Sequence, residues 1–337
     1  DRRHLQMCIR DSGIGGRFMR ELIEDLLARH LANPLLDTQT VAAALPELPA
    51  GVPVMTTDGF TVQPLEFPGG DIGSLAAHGT SNDLAVAGAE PLYLSLNCFV
   101  EEGIELALLD RVIGSLAAAA SRDGVVVVAG DTKVLRRGEG GGIYLATTGL
   151  GIRPSTVNLG LDQIRAGDRV LVSGPVGDHG IAVMLAREQF GLRGDLRSDA
   201  ASVLPLTRAA LAGDGLHFMR DPTRGGLATV GHELHRATGL SVVFDGPAIP
   251  VRDPVRTVCE MLGYDPLYLA CEGRVVAVTA PDNAAALLEA WRALPEGADA
   301  ALVGELRESR HAVTMTTEIG GERILEELED DPLPRIC

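Results

Sequence analysis

Apolar residues recur at helical spacing in "GGRFMRELIEDLLARHL", where Phe18, Leu22, Leu26 and Leu27 share one face and predict a first helix. "VPVMTTDGFTV" then reads as an apolar strand broken by a polar Thr-Thr-Asp corner. "GGDIGSLAAHGTSNDLAVAGAEP" predicts a helix of small residues opened by paired glycines, and "LYLSLNCFV" alternates like a strand. The amphipathic "IELALLDRVIGSLAAAASRDG" predicts a helix that stops at Gly124. "VVVVAGDTK" is a β-branched strand running into a polar loop, and "GIYLATTGLGI" is a further strand after a mobile "GEGGG" loop at 138–142. A second block starts near "IRAGDRVLVSGPVGDHGIAVMLARE" and continues through "LHFMRDPTRGGLATVGHELHRAT", "LYLACEGRVVAVTA" and the helix "DNAAALLEAWRAL". Both blocks mix strands and helices without a strict βαβ rhythm. They predict two α+β domains joined near residues 155–168.

Length and composition fit that picture. A chain of 337 residues with 46% hydrophobic and 22% charged residues has room for two globular cores. Its net charge of -17 argues against nucleic acid or an anionic membrane surface as the main partner. It suits anionic ligands held through divalent metal ions. No apolar run reaches the roughly 18 residues that a membrane span needs. The start, "DRRHLQMCIRDS", has no apolar core and reads as an unstructured or non-native leader over residues 1–12. Cys8, Cys98, Cys259, Cys271 and Cys337 are odd in number and include no CxxC, which predicts reduced thiols and a cytoplasmic protein. Among 29 basic residues, Lys133 is the sole lysine. Arginine-rich codon usage accounts for the bias but not for the exception. A retained lysine marks a position where a compact ammonium fits and a planar guanidinium does not.

The chemistry-bearing stretches place aspartate beside glycine at expected strand ends and turns: "TTDG" (Asp58), "GGDIG" (Asp71), "TSNDLA" (Asn82, Asp83), "AGDTK" (Asp131) and "RDPTRGG" (Asp221). Each is weak alone, because these residues populate any turn. Together they suit Mg²⁺, which takes one or two carboxylates and leaves room for phosphate and water. Glycines at helix starts let backbone N–H groups approach phosphates. Lys133 supplies a point charge for a transferring phosphoryl group, and Arg224 a bidentate grip. A P-loop is excluded, since Lys133 sits in "GDTK". "GHELH" at 231–235 has histidines three apart rather than four, and reads as a solvated helix face rather than a zinc site. Glu272 follows an apolar strand, where burial would raise its pKa toward a general base's range; the rival reading is a surface turn. His78 and His179 are secondary candidates, and Cys98, Cys259 and Cys271 read as buried fillers. "DDPLPRIC" predicts an extended, solvated tail ending in Cys337.

"GGDIGSLAAHGTSNDLAVAGAEPLYLSL", "VVAGDTKV", "RDPTRGGLA" and the final "PRIC" closely resemble the HypE family of hydrogenase maturation proteins. That family lies within the ATP-binding superfamily of aminoimidazole ribotide synthetase, selenophosphate synthetase and thiamine-monophosphate kinase. The likeness runs from about Gly13 to Cys337. One departure is that the family's His-Gly-x-Gly-Gly-Arg start reads Asp11-Ser12-Gly13-Ile14-Gly15-Gly16-Arg17 here, without the histidine.

The resemblance implies a two-domain aminoimidazole ribotide synthetase-like α+β fold. Its parts would be an ATP-binding, dimerising domain over 13–158, an α+β domain over 159–325 and a flexible tail over 326–337. It implies ATP-dependent dehydration of a carbamoyl group on Cys337 to a thiocyanate. A HypF-type carbamoyltransferase would load that group, and the cyanide would pass to iron on a HypC–HypD complex for nickel–iron hydrogenases. ATP would turn the carboxamide oxygen into a phosphate leaving group while a base removes the N–H protons. On this reading Asp58, Asp83, Asp131 and Asp221 hold Mg²⁺. Gly69, Gly70, Asp71, Asn82, Thr223, Arg224, Gly225 and Gly226 surround the nucleotide, and Lys133 is the phosphate-side cation. Helix capping is the rival role for Asp71 and Asn82. The alternatives are a thiamine-monophosphate kinase or selenophosphate synthetase type of activity, neither of which needs a terminal cysteine. A non-catalytic thiol carrier is the third, and it needs no metal–nucleotide site. A CaaX lipid anchor requires three residues after the cysteine.

Overall fold

The computed structural model describes residues 16–187, 195–308 and 313–328. The expected leader 1–12, the tail from residue 329 and Cys337 lie outside these residues. The described chain divides into two compact units, one through Leu84 and Ala89–Arg153, the other comprising Ala85–Gly88 and Pro154 onward.

In the first unit, α1 (Arg17–Leu22) and α2 (Ala28–Leu31) flank a π turn at Ile23–Leu27. Next come β1 (Val52–Phe60), the short pair β2 (Glu66–Phe67) and β3 (Gly70–Asp71), and α3 (Ile72–Val86). β4 (Glu90–Glu101), α4 (Leu106–Arg122), β5 (Val126–Leu135) and β6 (Ile143–Arg153) complete it. The sheet order is β1-β6-β4-β5, with β4 and β5 parallel and the other pairs antiparallel.

Alternation sorts this sheet into two faces. Leu94, Leu96, Cys98, Val100, Leu145 and Thr147 are buried on one face. Ser95, Asn97, Phe99, Tyr144, Ala146 and Leu150 are half-buried on the other. α3 lies against the buried face at glycine contacts. A Cβ on Gly79 would stand 2.8 Å from the Phe60 ring, and one on Gly149 would stand 2.8 Å from Thr80 Cγ2. At Gly73 the helix approaches the Val112 carbonyl of α4 so closely that a Cβ would lie 2.0 Å from the oxygen.

Two expectations are corrected here. β1 is one continuous strand with no break at Thr56-Thr57-Asp58, and β5 runs on through Asp131 to Leu135. The aspartates are therefore within strands, not at their ends. Strand pairing is made by the backbone, so polar side chains do not stop it when one face of the sheet is open.

The second unit holds a seven-stranded sheet in the order β13-β12-β9-β11-β7-β10-β8. In chain order its elements are β7 (Arg169–Val172), α5 (Asp178–Ala186), α6 (Leu204–Leu211), β8 (Leu216–Arg220), α7 (Gly226–Thr238) and β9 (Ser241–Asp245). They continue with α8 (Asp253–Leu262), β10 (Val276–Thr279), α9 (Ala284–Arg292), β11 (Ala301–Arg307), β12 (Val313–Thr316) and β13 (Glu322–Ile324). β7, β10 and the centre of β11 are buried, which fits a sheet covered on both faces. One core gathers Val170, Val172, Leu227, Val230, Leu234, Phe244 and Val276. A second holds Leu171, Leu206, Ala277 and Trp291, whose indole N–H donates to the Leu206 carbonyl at 3.0 Å.

Gly73→Ala is expected to destabilise the protein by about 1–3 kcal/mol through overpacking against α4, although glycine-to-alanine in an open helix stabilises by about 1 kcal/mol. Urea unfolding of the two proteins checks the sign, and a variant as stable as the parent would rule out the close helix–helix approach.

Candidate active site

Asp71 caps α3. Its Oδ1 accepts the N–H groups of Gly73 at 2.7 Å and Ser74 at 3.0 Å, and Ser74 Oγ accepts the Asp71 N–H at 3.0 Å. This is the capping role that stood as the rival reading, and burial pushes its carboxyl pKa up. Gly69, with φ of 104°, turns the chain into that cap, and Gly70 follows with Ser74 Oγ 3.1 Å from where its Cβ would be. Asn82 is buried on α3.

Asp83 accepts from Thr56 Oγ1 at 2.8 Å. Thr56 and Asp58 are two residues apart on β1 and share a face, so Asp58 is on the same face of the strand as the Thr56–Asp83 contact. Asp131 and Lys133 lie elsewhere. Asp58 pairs across the sheet with Thr147, which pairs with Leu96. Asp131 pairs with Asn97, which pairs with Ala146. These are adjacent rows, and adjacent rows point to opposite faces. β1 and β5 are also opposite edges, three strand spacings or about 14 Å apart. One chain therefore does not bring Asp58 and Asp131 to one ion. On its own face Asp131 pairs with Lys133 at 3.1 Å, and both are more than half exposed. Among the described residues, no three His, Cys, Asp or Glu side chains converge as a metal site.

The second unit assembles the other candidates around the start of α7. Gly225 and Gly226 have positive φ of 70° and 58°. A Cβ on Gly226 would stand 2.5 Å from the Leu267 and Leu269 carbonyls, so glycine is needed for the approach as well as the turn. α7 carries neither a capping side chain nor an acidic residue in its first turn, which leaves a helix N-terminus suited to an anion. Arg224 is exposed in that turn and Thr223 accepts the Gly226 N–H through its carbonyl at 3.1 Å. Asp221 is buried, with Arg220 Nε 4.0 Å away. The Cys271 N–H donates to the Pro222 carbonyl at 3.0 Å, which ties Glu272 to the same loop. Glu272 is buried, not a surface turn residue. Cys98, Cys259 and Cys271 are buried free thiols, and burial pushes each of them up.

His232 departs from the solvated-face expectation. It is buried on α7, and burial lowers its pKa. Its neighbours Gly231 and Leu234 are buried too, because α7 turns this stripe to the core. Burial, with the Arg122 charge, brings His78 down to about 4. Burial brings His179 down to about 4 as well, against the opposing Asp199 charge. Both are neutral at pH 7 and weak as bases. Sequence reasoning missed the buried Asp178, Asp199 and Arg274 beside Glu272, with the half-exposed Arg252 paired to Asp178; only "SGPVGDHG" and "CEGR" carry the glycines and charges of that group.

The chain matches the family described as AIR synthase related protein, N-terminal domain, over residues 42–153, and the corresponding C-terminal domain family over 165–316. It is 48% identical to carbamoyl dehydratase HypE of Azotobacter vinelandii across 327 residues, 96% of each chain. Among solved structures, it is similar to hydrogenase maturation protein HypE in complex with ATP, with a TM-score of 0.92, 41% identity and coverage of 98% of this chain and 100% of that one. A HypE–HypF complex matches with a TM-score of 0.80 and 39% identity over 91% of this chain and 99% of that one. Among the described residues, no helix is long and apolar enough to cross a membrane.

The histidines predict acid sensitivity. Unfolded histidine binds its proton near 6.5 and these folded ones near 4, so between those values the unfolded state holds more protons and stability falls as pH is lowered. Asp178 acts in the opposite sense. Burial, then the Asp199 charge, pushes it from 3.8 up to about 6, so it offsets part of the loss in that overlapping window. The urea midpoint should fall between pH 7 and pH 5, with a shallower fall in His179→Asn; an unchanged slope in that variant and in His78→Asn would contradict the assignment.

Proposed function

The chain belongs to the HypE family, and from that premise we propose how its residues divide the work of dehydrating a carbamoyl group. The protein is an ATP-dependent carbamoyl dehydratase of hydrogenase maturation, and HypF is its partner. Cys337 carries the carbamoyl group as an S-linked thiocarbamate. Dehydration converts S–C(=O)NH₂ to S–C≡N, and the cyanide goes to iron on HypC–HypD in the cytoplasm.

ATP, when bound, supplies the phosphoryl group that makes the carboxamide oxygen a leaving group. The chain's residues then have separate tasks. The Gly225 N–H and the Arg224 guanidinium hold phosphate oxygens. Glu272 accepts an N–H proton as the nitrile forms. Its support is the Cys271 N–H to Pro222 carbonyl bond of 3.0 Å, which fixes a buried carboxylate beside an uncapped helix start. This is the observation that carries the reading.

Mg²⁺ fits Asp58 and Asp83 in the first unit, since it takes one or two carboxylates and fills the rest of its octahedron with phosphate and water. Asp221 is the ligand proposed in the second unit. Gly69, Gly70, Asn82 and Thr223 line the nucleotide, with Asp71 holding the start of α3. Asp131 and Lys133 occupy the half-exposed sheet face, where Met55 is also 73% exposed. A homodimer packed through that face would present their charges to the second copy's phosphates.

Intact-mass measurement tests the carrier. After incubation with HypF and its carbamoyl donor, the protein should gain one carbamoyl group, then lose one water on addition of Mg²⁺ and ATP. Cys337→Ala should gain none, and an adduct retained in that variant would overturn the carrier assignment. EDTA added after carbamoylation should stop the loss of water and leave the adduct. Lys133→Arg should slow dehydration about 10–100-fold, because the guanidinium keeps the charge and loses the compact shape. A parental rate in that variant would end the argument from ammonium size.

A further inference from the structure

The residues flanking Glu272 are held by a buried carboxylate that the reaction does not use. The Asp199 side chain is 0% exposed, and burying an ionised carboxylate is costly unless charge and hydrogen bonds compensate it. Its Oδ1 accepts the Glu272 N–H at 3.1 Å. Its Oδ2 lies 3.3 Å from Arg274 Nε. Its backbone carbonyl stands 1.9 Å from where a Cβ on Gly273 would be, so only glycine permits the approach. Three consecutive residues, 272 to 274, thus meet one residue.

Arg274 is itself fixed. Its Nε donates to the Pro175 carbonyl at 2.9 Å, and Nη2 lies 3.5 Å from Asp178 Oδ2. Asp178 is also paired with Arg252 at 2.9 Å. Gly174 leaves room for the guanidinium, which a Cβ there would approach to 3.0 Å. On the following residue, the Val275 N–H donates to Ser173 Oγ at 2.9 Å. On the preceding side, Cys271 is bound to Pro222. Ser198, next to Asp199, holds His179 Nδ1 at 2.8 Å and accepts the Ala200 N–H at 3.0 Å, which fixes the segment bearing Asp199.

We infer that Asp199 is a positioning residue for the reaction: by gripping the Glu272 N–H and Arg274 together it aims the Glu272 carboxylate at the carbamoyl nitrogen. This rests on the reading of Glu272 as the proton acceptor. Arg274 is held by Asp178 and the Pro175 carbonyl without Asp199. What Asp199 Oδ1 adds is a partner for the Glu272 N–H, and that bond fixes the turn that carries the glutamate. A carboxylate followed by glycine has a mobile backbone unless something restrains it. A displacement of about 1 Å at a reacting group costs on the order of 100-fold in rate.

The test is single-turnover loss of water from the full-length, carbamoylated protein at saturating Mg²⁺ and ATP, followed by intact mass. Asp199→Ala should slow the step on the order of 100-fold, while a parallel titration shows the ATP concentration for half-maximal rate little changed. Asp199→Asn should recover at least about tenfold of that, because its amide oxygen still accepts the Glu272 N–H. It also guards against a misfolded alanine variant. In a Glu272→Gln background, Asp199→Ala should add less than about twofold, since a residue acting through Glu272 has nothing left to position. A parental rate in Asp199→Ala, an asparagine variant as slow as the alanine one, or losses that multiply in the double variant would each overturn the inference. A parental rate in Glu272→Gln would instead overturn Glu272 as the proton acceptor, so the two failures are told apart.

Discussion

One backbone hydrogen bond organises the second unit's site: the Cys271 N–H donates to the Pro222 carbonyl. Residues 222 and 271 are far apart in sequence and belong to segments that each have other work. The 221–226 segment leads from β8 into α7, and the 269–275 segment leads into β10. β8 and β10 are antiparallel neighbours in the sheet, so their ends emerge side by side. The bond closes the gap between them. Gly226 completes the contact, since its missing side chain lets α7 start against the Leu267 and Leu269 carbonyls. The helix dipole and the glutamate are brought together by main-chain geometry, with no demand on side-chain chemistry. The Glu272 side chain has no part in making that approach.

The first unit solves a different problem. Its sheet must bury one face against α3 and α4 and still present polar groups. The buried face is dense enough that Gly73, Gly79 and Gly149 are contact points. Asp58 sits on the β1 edge strand, where its Oδ1 accepts the Gly59 N–H, and Asp83 reaches the same strand through Thr56. Asp131 and Lys133 occupy the other face on the opposite edge. A one-residue change of register would exchange these faces, so the pairing of β1 with β6 decides which carboxylates can meet.

Much of this was legible in the chain. Helical spacing located the first helix, amphipathic patterning located α4, and the paired glycines located the starts of α3 and α7. Asp131 and Asp58 were found as residues but misplaced in structure. A strand with one open face tolerates aspartate and threonine in its middle, so polarity was mistaken for an end. His232 was misread for the converse reason, because a buried imidazole looks like a surface one when its neighbours are glycine and glutamate. Asp178 and Asp199 were not found, since a buried carboxylate has no local signature. Its partners come from residues 252 and 274, and only the folded sheet brings them near.

That hidden group bears on how the unit is built. Replacing a buried ionic network with apolar side chains of similar volume is often neutral or stabilising, so the buried Asp178, Asp199 and Arg274 group is poor evidence of stabilisation. What charged groups add over apolar ones is direction. A leucine at 199 could fill the same space but could not distinguish the Glu272 N–H from its neighbours. Asp178 carries part of the cost, since Oδ1 has no hydrogen-bond partner and burial raises its pKa to about 6. A fold selected for stability alone would remove that group. Its retention beside Gly273, where only a glycine lets the Asp199 carbonyl come close, and Gly174, which leaves room for the Arg274 guanidinium, is the pattern expected where the position of one turn matters more than the stability of the unit.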